Sequence, residues 1–281
     1  MVACVEGSDA KPLIGTREPR AVPGTRFGDV RWVEETGSTN ADLLAAAAAG
    51  EAGDVVLVAD HQTAGHGRLG REWTAPPGSS LLVSVLLRPD LAPADSFLVL
   101  AAAAVAACDA CRDVAGCHPG IKWPNDLVIV AGDRFAGRKI AGLLAESIVR
   151  DGRLAAVVVG MGLNVNWDGR PPSELDEIAV ALDRVVGRPV DREALLERWL
   201  VALDGWLDEL PTEEGRARLR ERVKNLSATV GRRVRVEQTS GALVGDAVDI
   251  TPSGHLVVAP DGGGPRIEVA VGDVVHLRHR D

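Results

Sequence analysis

Apolar residues along this chain come in short continuous or alternating runs, cut by glycine, proline and Asx-rich turns. Val30 to Glu34, Val55 to Val58, Ser79 to Leu87, Ile121 to Trp123, Leu127 to Val130, Lys139 to Val149 and Leu154 to Val159 all predict strands. Helical patterning is confined to fewer places. Asp42 to Ala49 follows three good N-cap residues, Ser38, Thr39 and Asn40, and ends at Gly50. An Ala-rich segment from Pro93 to Val114 predicts a helix covering the sheet, and Arg192 to Leu210, capped by Asp191, and Glu213 to Leu226 predict two polar-faced ones. Strands with few interposed helices predict an α+β mixed sheet with flanking helices.

Beyond Ser227 the texture changes. Arg233 to Glu237, Ala242 to Ile250, His255 to Ala259, Ile267 to Val271 and Val274 to Leu277 are five short runs separated by Gly-rich turns. Such spacing predicts a small β-barrel of roughly fifty residues. Residues 1–28 show no sustained apolar period and read as a poorly ordered leader. The expected organisation is therefore leader 1–28, catalytic domain 29–226 and barrel 227–281. A leader this short and patternless leaves no room for a helix-turn-helix DNA-binding domain.

Charge narrows the function. Thirty-one Lys and Arg against forty Asp and Glu give a net charge of −9, which argues against holding nucleic acid as the main task. No apolar run reaches membrane-spanning length uninterrupted, since Phe97 to Cys108 is followed at once by Asp109, Arg112 and Asp113. Four cysteines in 281 residues do not make a disulfide scaffold, and no secretion signal is apparent. A cytoplasmic protein is expected. Cys108 and Cys111 lie three apart on the predicted helix and suit a packed face better than a zinc site with Cys117 and His118.

The chemistry centres on Gln62-Thr63-Ala64-Gly65-His66-Gly67-Arg68-Leu69-Gly70-Arg71-Glu72-Trp73. Three glycines allow the backbone to turn its N–H groups outward, and two arginines add fixed charge suited to carboxylate or phosphate. Gly65 to Gly70 matches the dinucleotide fingerprint in form, but Trp73-Thr74-Ala75-Pro76-Pro77 cannot open the helix that fingerprint needs. Lys122-Trp123-Pro124-Asn125-Asp126 and Lys139 add two lysines and a carboxylate beside predicted turns. Arg68, Arg71, Lys122 and Lys139 together predict a sheet edge that receives more than one anion.

These stretches, with Gly37-Ser38-Thr39-Asn40, Lys139-Ile140-Ala141-Gly142 and Gly162-Leu163-Asn164, come in the order seen in biotin protein ligases. The chain resembles that family from about Asp29 to its C-terminus. The resemblance implies a class II aminoacyl-tRNA synthetase-like catalytic domain with a C-terminal SH3-like barrel. It also implies ATP-dependent activation of biotin to biotinyl-5′-AMP, then transfer to a lysine of a biotin carboxyl carrier domain. Two unit charges about 4 Å apart repel by about 4 kcal/mol at an effective dielectric near 20, so cations must screen carboxylate from triphosphate.

By resemblance, Ser38, Thr39, Asn40, Gln62, Gly65, His66, Gly67, Arg68, Lys139 and Gly142 would hold biotin. Arg68, Arg71, Trp73, Lys122, Asn125, Lys139 and Asn164 would hold ATP. Arg68 and Lys139 would act on the reacting groups, Asp126 would contact Mg²⁺, and Trp73 would stack on adenine. One position departs from the family's frequent Gly-Arg-Gly-Arg: His66 puts an imidazole, a pH-dependent cation, where arginine is common. A ligase without repressor function, monomeric or weakly dimeric, with no DNA or membrane partner, is expected. The competing readings are a lipoate or octanoate protein ligase or transferase of the same fold, and a non-catalytic protein that binds an anionic metabolite.

Overall fold

The computed structural model describes residues 17–168, 175–238 and 241–277. Strand β1 (Asp29–Thr36) leads through helix α1 (Thr39–Ala48) to β2 (Val55–Gln62), which pairs parallel to β1. This is the one parallel pair of the sheet among the described residues. Strand β3 (Ser80–Leu87) precedes α2 (Phe97–Ala110), which widens into a π-helical turn at Cys111–Ala115. Then follow β4 (Pro119–Lys122), β5 (Asp126–Ile129), β6 (Lys139–Arg150) and β7 (Arg153–Asn164). A second crossover, through α2, carries the chain from β3 to the far edge at β4. A short α3 (Leu182–Val186) leads to α4 (Arg192–Glu209) and α5 (Glu213–Asn225). The sheet order is β1-β2-β3-β7-β6-β5-β4, and every pair but the first is antiparallel. The mixed sheet expected from the sequence is present.

Central β3 is buried along its whole length, as a strand covered on both faces must be. On one face α2 and α4 pack over Val83, Val85, Val157 and Val159, with Trp199 fully buried and its indole N–H bonded to the Ala103 carbonyl at 3.0 Å. On the other, α1 places Leu43 and Ala47 against Leu57, Leu86 and Val158. Since α1 is only 10 residues long, it covers only part of that face. The remainder carries the glycines and polar residues described below. The stretch Pro93–Ala115 is long and apolar enough to cross a membrane, contrary to the expectation from its flanking charges, but most of it is buried inside this core. Cys108, Cys111 and Cys117 are buried core thiols; burial pushes Cys108 up to about 12 and Cys117 to about 11.

Helix ends follow the sequence. Ser38 caps α1 through the Ala41 N–H at 3.5 Å, and the Asp191 carboxylate accepts from Glu193 and Ala194 at 2.8 and 3.2 Å. Residues 1–16 of the expected leader lie outside the described residues. Arg17 and Arg20 are exposed and pair with Glu193 of α4 at 2.8 and 3.0 Å; Val22 and Phe27 are buried, and Arg26 pairs with Asp204 of α4 at 2.6 Å.

Strands β8 (Arg233–Gln238), β9 (Gly241–Ile250), β10 (Leu256–Pro260), β11 (Ile267–Val269) and β12 (Asp273–His276) form a second, antiparallel sheet in the order β11-β10-β9-β8-β12. It is consistent with an SH3-like domain and encloses its own core of Val234, Val236, Leu256, Val258 and Val269. Trp123 inserts from the first domain into that core, donating from its indole to the Gly254 carbonyl at 2.8 Å. Beside it, β4 pairs with the linker through Ile121 and Ala228. The two domains are thus joined at the β4–β5 turn.

Candidate active site

On the part of the sheet that α1 leaves open, the even-numbered residues of β7 form a floor. A Cβ on Gly160 would lie 2.2 Å from the Asn40 side-chain oxygen, and one on Gly162 would lie 2.3 Å from the Trp73 ring. Both positions need glycine because something lies directly on the backbone. Next to them, Gly142 of β6 carries the Lys139 ammonium, with the Trp73 ring 3.0 Å from where its Cβ would be. Gly162, Gly142, Trp73 and Lys139 are therefore one packed unit, with the Lys139 Nζ 5.0 Å from the ring centroid.

The N-terminus of α1 supplies more than a cap. Thr39 donates from its backbone N–H and its hydroxyl to Gln62 Oε1, at 2.8 and 2.9 Å. Its hydroxyl meets Ser84 at 2.7 Å, Ser84 donates to Asn40 Oδ1 at 2.6 Å, and Asn40 Nδ2 donates to Glu146 at 2.9 Å. Ser38, Thr39, Asn40 and Ser84 are buried. A buried network with this many members fixes each side chain, so the site is shaped before a ligand arrives. Two buried polar atoms nearby, the Trp73 indole nitrogen and the Ser80 hydroxyl, make no hydrogen bond in the structure. Such orphans are costly unless a ligand or water meets them.

Gly65 to Trp73 folds back on itself as a hairpin. Gly67 donates to the Arg71 carbonyl at 2.7 Å, and Trp73 donates to Gly65 at 2.8 Å. A Cβ on Gly65 would lie 2.7 Å from the Trp73 carbonyl oxygen and 2.8 Å from Gln62 Nε2, so this glycine serves close approach. At the tip, Leu69 adopts a left-handed conformation at φ 58° and is exposed. No helix follows, which confirms that the dinucleotide fingerprint is accidental here.

The cations converge from three elements of the first domain, and the C-terminal domain adds the Asp273 carboxylate. Arg68 donates to Asn125 Oδ1 at 3.3 Å, while Asn125 Nδ2 donates to the Leu143 carbonyl at 2.7 Å and ties the β4–β5 turn to β6. Lys139 pairs with Asp126 at 2.7 Å. Burial holds Arg68 below the usual guanidinium range and Lys122 below the usual ammonium range. For Lys122 the carboxylates of Asp126 and Asp273 oppose that shift, and Lys139 and Arg71 add to it. Cations crowded and desolvated in this way are stabilised by an incoming anion. Arg71 pairs with Asp273 of the C-terminal domain. Beside Lys122, His276 is brought down to about 4 by burial, with Lys122 and Arg232 acting in the same direction. Its Nε2 lies 3.2 Å from the Thr229 hydroxyl, which accepts the Trp123 N–H at 3.0 Å.

Among the described residues, no group of three or more His, Cys, Asp or Glu could hold a metal by itself. Magnesium on a nucleotide needs only one or two carboxylates besides phosphates and water, and Asp126 offers one.

Matches to known proteins agree with this geometry. Residues 36–164 match the Biotin/lipoate A/B protein ligase family, and residues 229–277 match the Biotin protein ligase C terminal domain. The biotin–[acetyl-CoA-carboxylase] ligase of Mycobacterium tuberculosis is 40% identical over 266 residues, 91% of each chain. The chain belongs to the biotin protein ligases. The bifunctional ligase/repressor BirA of Bacillus subtilis is 30% identical over 209 residues, covering 74% of this chain and 62% of that one. In fold, a biotin protein ligase from Aquifex aeolicus in complex with biotin and ATP superposes with a TM-score of 0.74 at 24% identity. That match covers 90% of this chain and all of the other.

The structure brings the sequence-predicted residues together with two differences of detail. Lys139 opens the interior strand β6, not a sheet edge, because β5 and β4 lie beyond it. Asn164 is buried at the end of β7 with its amide 3.4 Å from the Val180 carbonyl, so part of its hydrogen-bonding capacity is already used. His66 lies with Nε2 4.0 Å from Glu146 and Nδ1 3.4 Å from the Ala64 carbonyl. Sequence reasoning missed Ser84, Glu146, Asp273 and His276. The first two occupy ordinary strand positions, and Asp273 lies 202 residues from the arginine it pairs with.

Proposed function

We infer that this chain activates biotin with ATP to biotinyl-5′-AMP and pyrophosphate, then transfers the biotinyl group to one lysine of a biotin carboxyl carrier domain. One observation carries the reading: the fixed polar network of Thr39, Asn40, Gln62 and Ser84 at the start of α1 lies on the same sheet face as the Trp73 hairpin and Lys139, on whose other side Arg68, Arg71 and Lys122 gather. A neutral ring system with a carboxylate tail suits the first part, and a triphosphate suits the second.

Biotin's ureido head is assigned to Ser38, Thr39, Asn40 and Gln62, and its carboxylate is directed past Gly65 to Gly67 towards Arg68 and Lys139. A carboxylate oxygen attacks the α-phosphorus, the bond to the β-phosphate oxygen breaks, and pyrophosphate leaves. Lys139 is placed to meet charge on the α-phosphate as it develops, while Arg71 and Lys122 hold the departing phosphates. Asp126 would hold Mg²⁺ carried on those phosphates, supplying further charge screening. In the second step the acceptor amine attacks the acyl carbon, loses its proton, and expels AMP. Trp73 and Asn164 are assigned to adenine, and Asn125 keeps Arg68 in place for both steps.

The match of residues 229–277 to a biotin ligase C-terminal domain favours biotin over lipoate. The M. tuberculosis relative's name specifies acetyl-CoA carboxylase, so a carboxylase carrier domain is the proposed acceptor. ATP as co-substrate implies a cytoplasmic location, and the net charge of −9 supports ligase chemistry without operator binding. Pyrophosphate exchange into ATP, measured with biotin or with lipoate, tests the reading. Exchange dependent on biotin is expected; dependence on lipoate, or none, would overturn it.

A further inference from the structure

Behind the β4–β5 turn, on the α2 side of the sheet, lies a pocket of about 370 Å³ that shares Arg68 and Asn125 with the site above but is otherwise lined by residues given no part in adenylation. Its apolar wall includes Phe97, Ala101 and Ala104 of α2, Val223 of α5, Trp123 of the turn and Ile250 of the C-terminal domain. The hole exists because Ala101 and Ala104, three apart on one helix face, present only methyl groups. Its walls are held rigidly. The Trp123 indole is fixed to Gly254 at 2.8 Å, and Phe97 packs so closely on Gly254 that a Cβ there would lie 2.7 Å from the ring. Pockets of roughly 300–1,000 Å³ hold small-molecule ligands when a few polar groups converge on an apolar lining.

The polar groups differ from one another. Three basic residues at the rim have carboxylate partners: Arg220 with Glu213, Lys224 with Asp249 at 2.7 Å, and His255 with Glu268 at 3.6 Å. Arg68 also lines the pocket, and its hydrogen bond there goes to the neutral Asn125 amide at 3.3 Å. Among the described residues it ion-pairs with no carboxylate within 4.0 Å. An apolar pocket with a guanidinium at its mouth that makes no direct ion pair, with Asp126 and Asp273 acting on it only from farther away, complements a long apolar chain ending in a carboxylate, which guanidinium binds in a bidentate fork.

We propose that this pocket binds a linear aliphatic carboxylate, chain against α2 and α5 and carboxylate on Arg68, and that occupancy withholds Arg68 from the reactants and inhibits adenylation. The inhibition half rests on the ligase reading; the binding half does not. Calorimetric titration of the full chain with hexanoate, octanoate and decanoate tests it. Each buried methylene should tighten binding about fourfold until the pocket is full. Decanol, lacking the charge, should bind at least tenfold more weakly than decanoate. Ala101→Phe should remove binding while leaving biotin-dependent exchange in the absence of decanoate unchanged. The milder Ala101→Leu should shorten the longest chain accepted, which keeps the test open if the Phe variant folds poorly. Unsaturable binding, chain-length independence, or undiminished decanoate binding in both variants would overturn the pocket. Binding as predicted with no biotin-dependent exchange would instead count against the ligase reading alone.

Discussion

Replacing Gly162 by alanine tests whether the Trp73 hairpin is positioned by the sheet beneath it. The added Cβ would stand 2.3 Å from Trp73 Cε2 and 2.6 Å from its Nε1. Carbon–carbon contact is best near 3.5–4.0 Å, so the ring must retreat by about 1.2–1.7 Å. Sliding towards β6 is opposed by the Lys139 side chain, which lies over Gly142 beside the ring. It must lift, and with it the Trp73 N–H bond to Gly65 and the ring face that Lys139 approaches at 5.0 Å. A misplacement of about 1 Å at a reacting constellation costs on the order of a hundredfold in rate, or about 2.7 kcal/mol in the barrier. Stability should change far less. Overpacking costs about 1–3 kcal/mol in a closed core, but this half-buried ring can move towards solvent, and alanine recovers about 0.5–1 kcal/mol over glycine in a strand. Biotin-dependent exchange is therefore expected to fall about a hundredfold with Tm nearly unchanged. An exchange rate within about twofold of wild type, or a loss fully accounted for by unfolding, would refute the reasoning.

Lys139→Ala should abolish exchange while circular dichroism stays native, since its partner Asp126 is not deeply buried and can reach water. Full exchange in that variant would refute the role given to this lysine. Asp273→Asn frees Arg71, whose side chain is 67% exposed, so the lost pair is worth no more than about 1 kcal/mol of stability. In the empty enzyme Asp273 competes with phosphate for Arg71, and KM for ATP should fall by up to about fivefold; an increase would contradict this. His66→Arg should slow escape of biotinyl-AMP in a chase experiment, and an unchanged release rate would count against a charge clamp at this position. His276, at about 4 when folded, lies below the ordinary histidine value, so the unfolded chain binds more protons between about pH 6.5 and pH 4. Its contribution to stability is present above about pH 6.5 and is lost as pH falls towards 4, and the Tm–pH curve of His276→Gln should be flatter across that window.

Much of this fold was legible because local physics and tertiary packing agree. The Ser38 and Asp191 caps, the Gly50 stop and the fully apolar β3 all encode their roles within a few residues of sequence. The rejection of the dinucleotide fingerprint also stood on a local fact, the prolines after Trp73. Two kinds of feature were not readable. Leu69 takes a left-handed conformation that its side chain does not favour, so nothing in its identity announces the hairpin tip. The network through Ser84 and Glu146, and the Arg71–Asp273 pair, depend on register between distant strands and on contact between domains. The burial of Val22 and Phe27, inside the stretch expected to be a leader, was hidden for the same reason. Phe27 stands alone in its stretch of sequence, and only the α2–α4 layer in space makes it part of the core.

The central claim is that one site joins biotin to ATP and then to a protein lysine. Intact-mass measurement of a carboxylase carrier domain, incubated with this chain, biotin and ATP, tests it most directly. One biotinyl group on a single lysine is predicted, dependent on ATP and absent with Lys139→Ala. An unmodified carrier, or modification that persists without ATP or with the Lys139→Ala variant, would contradict it.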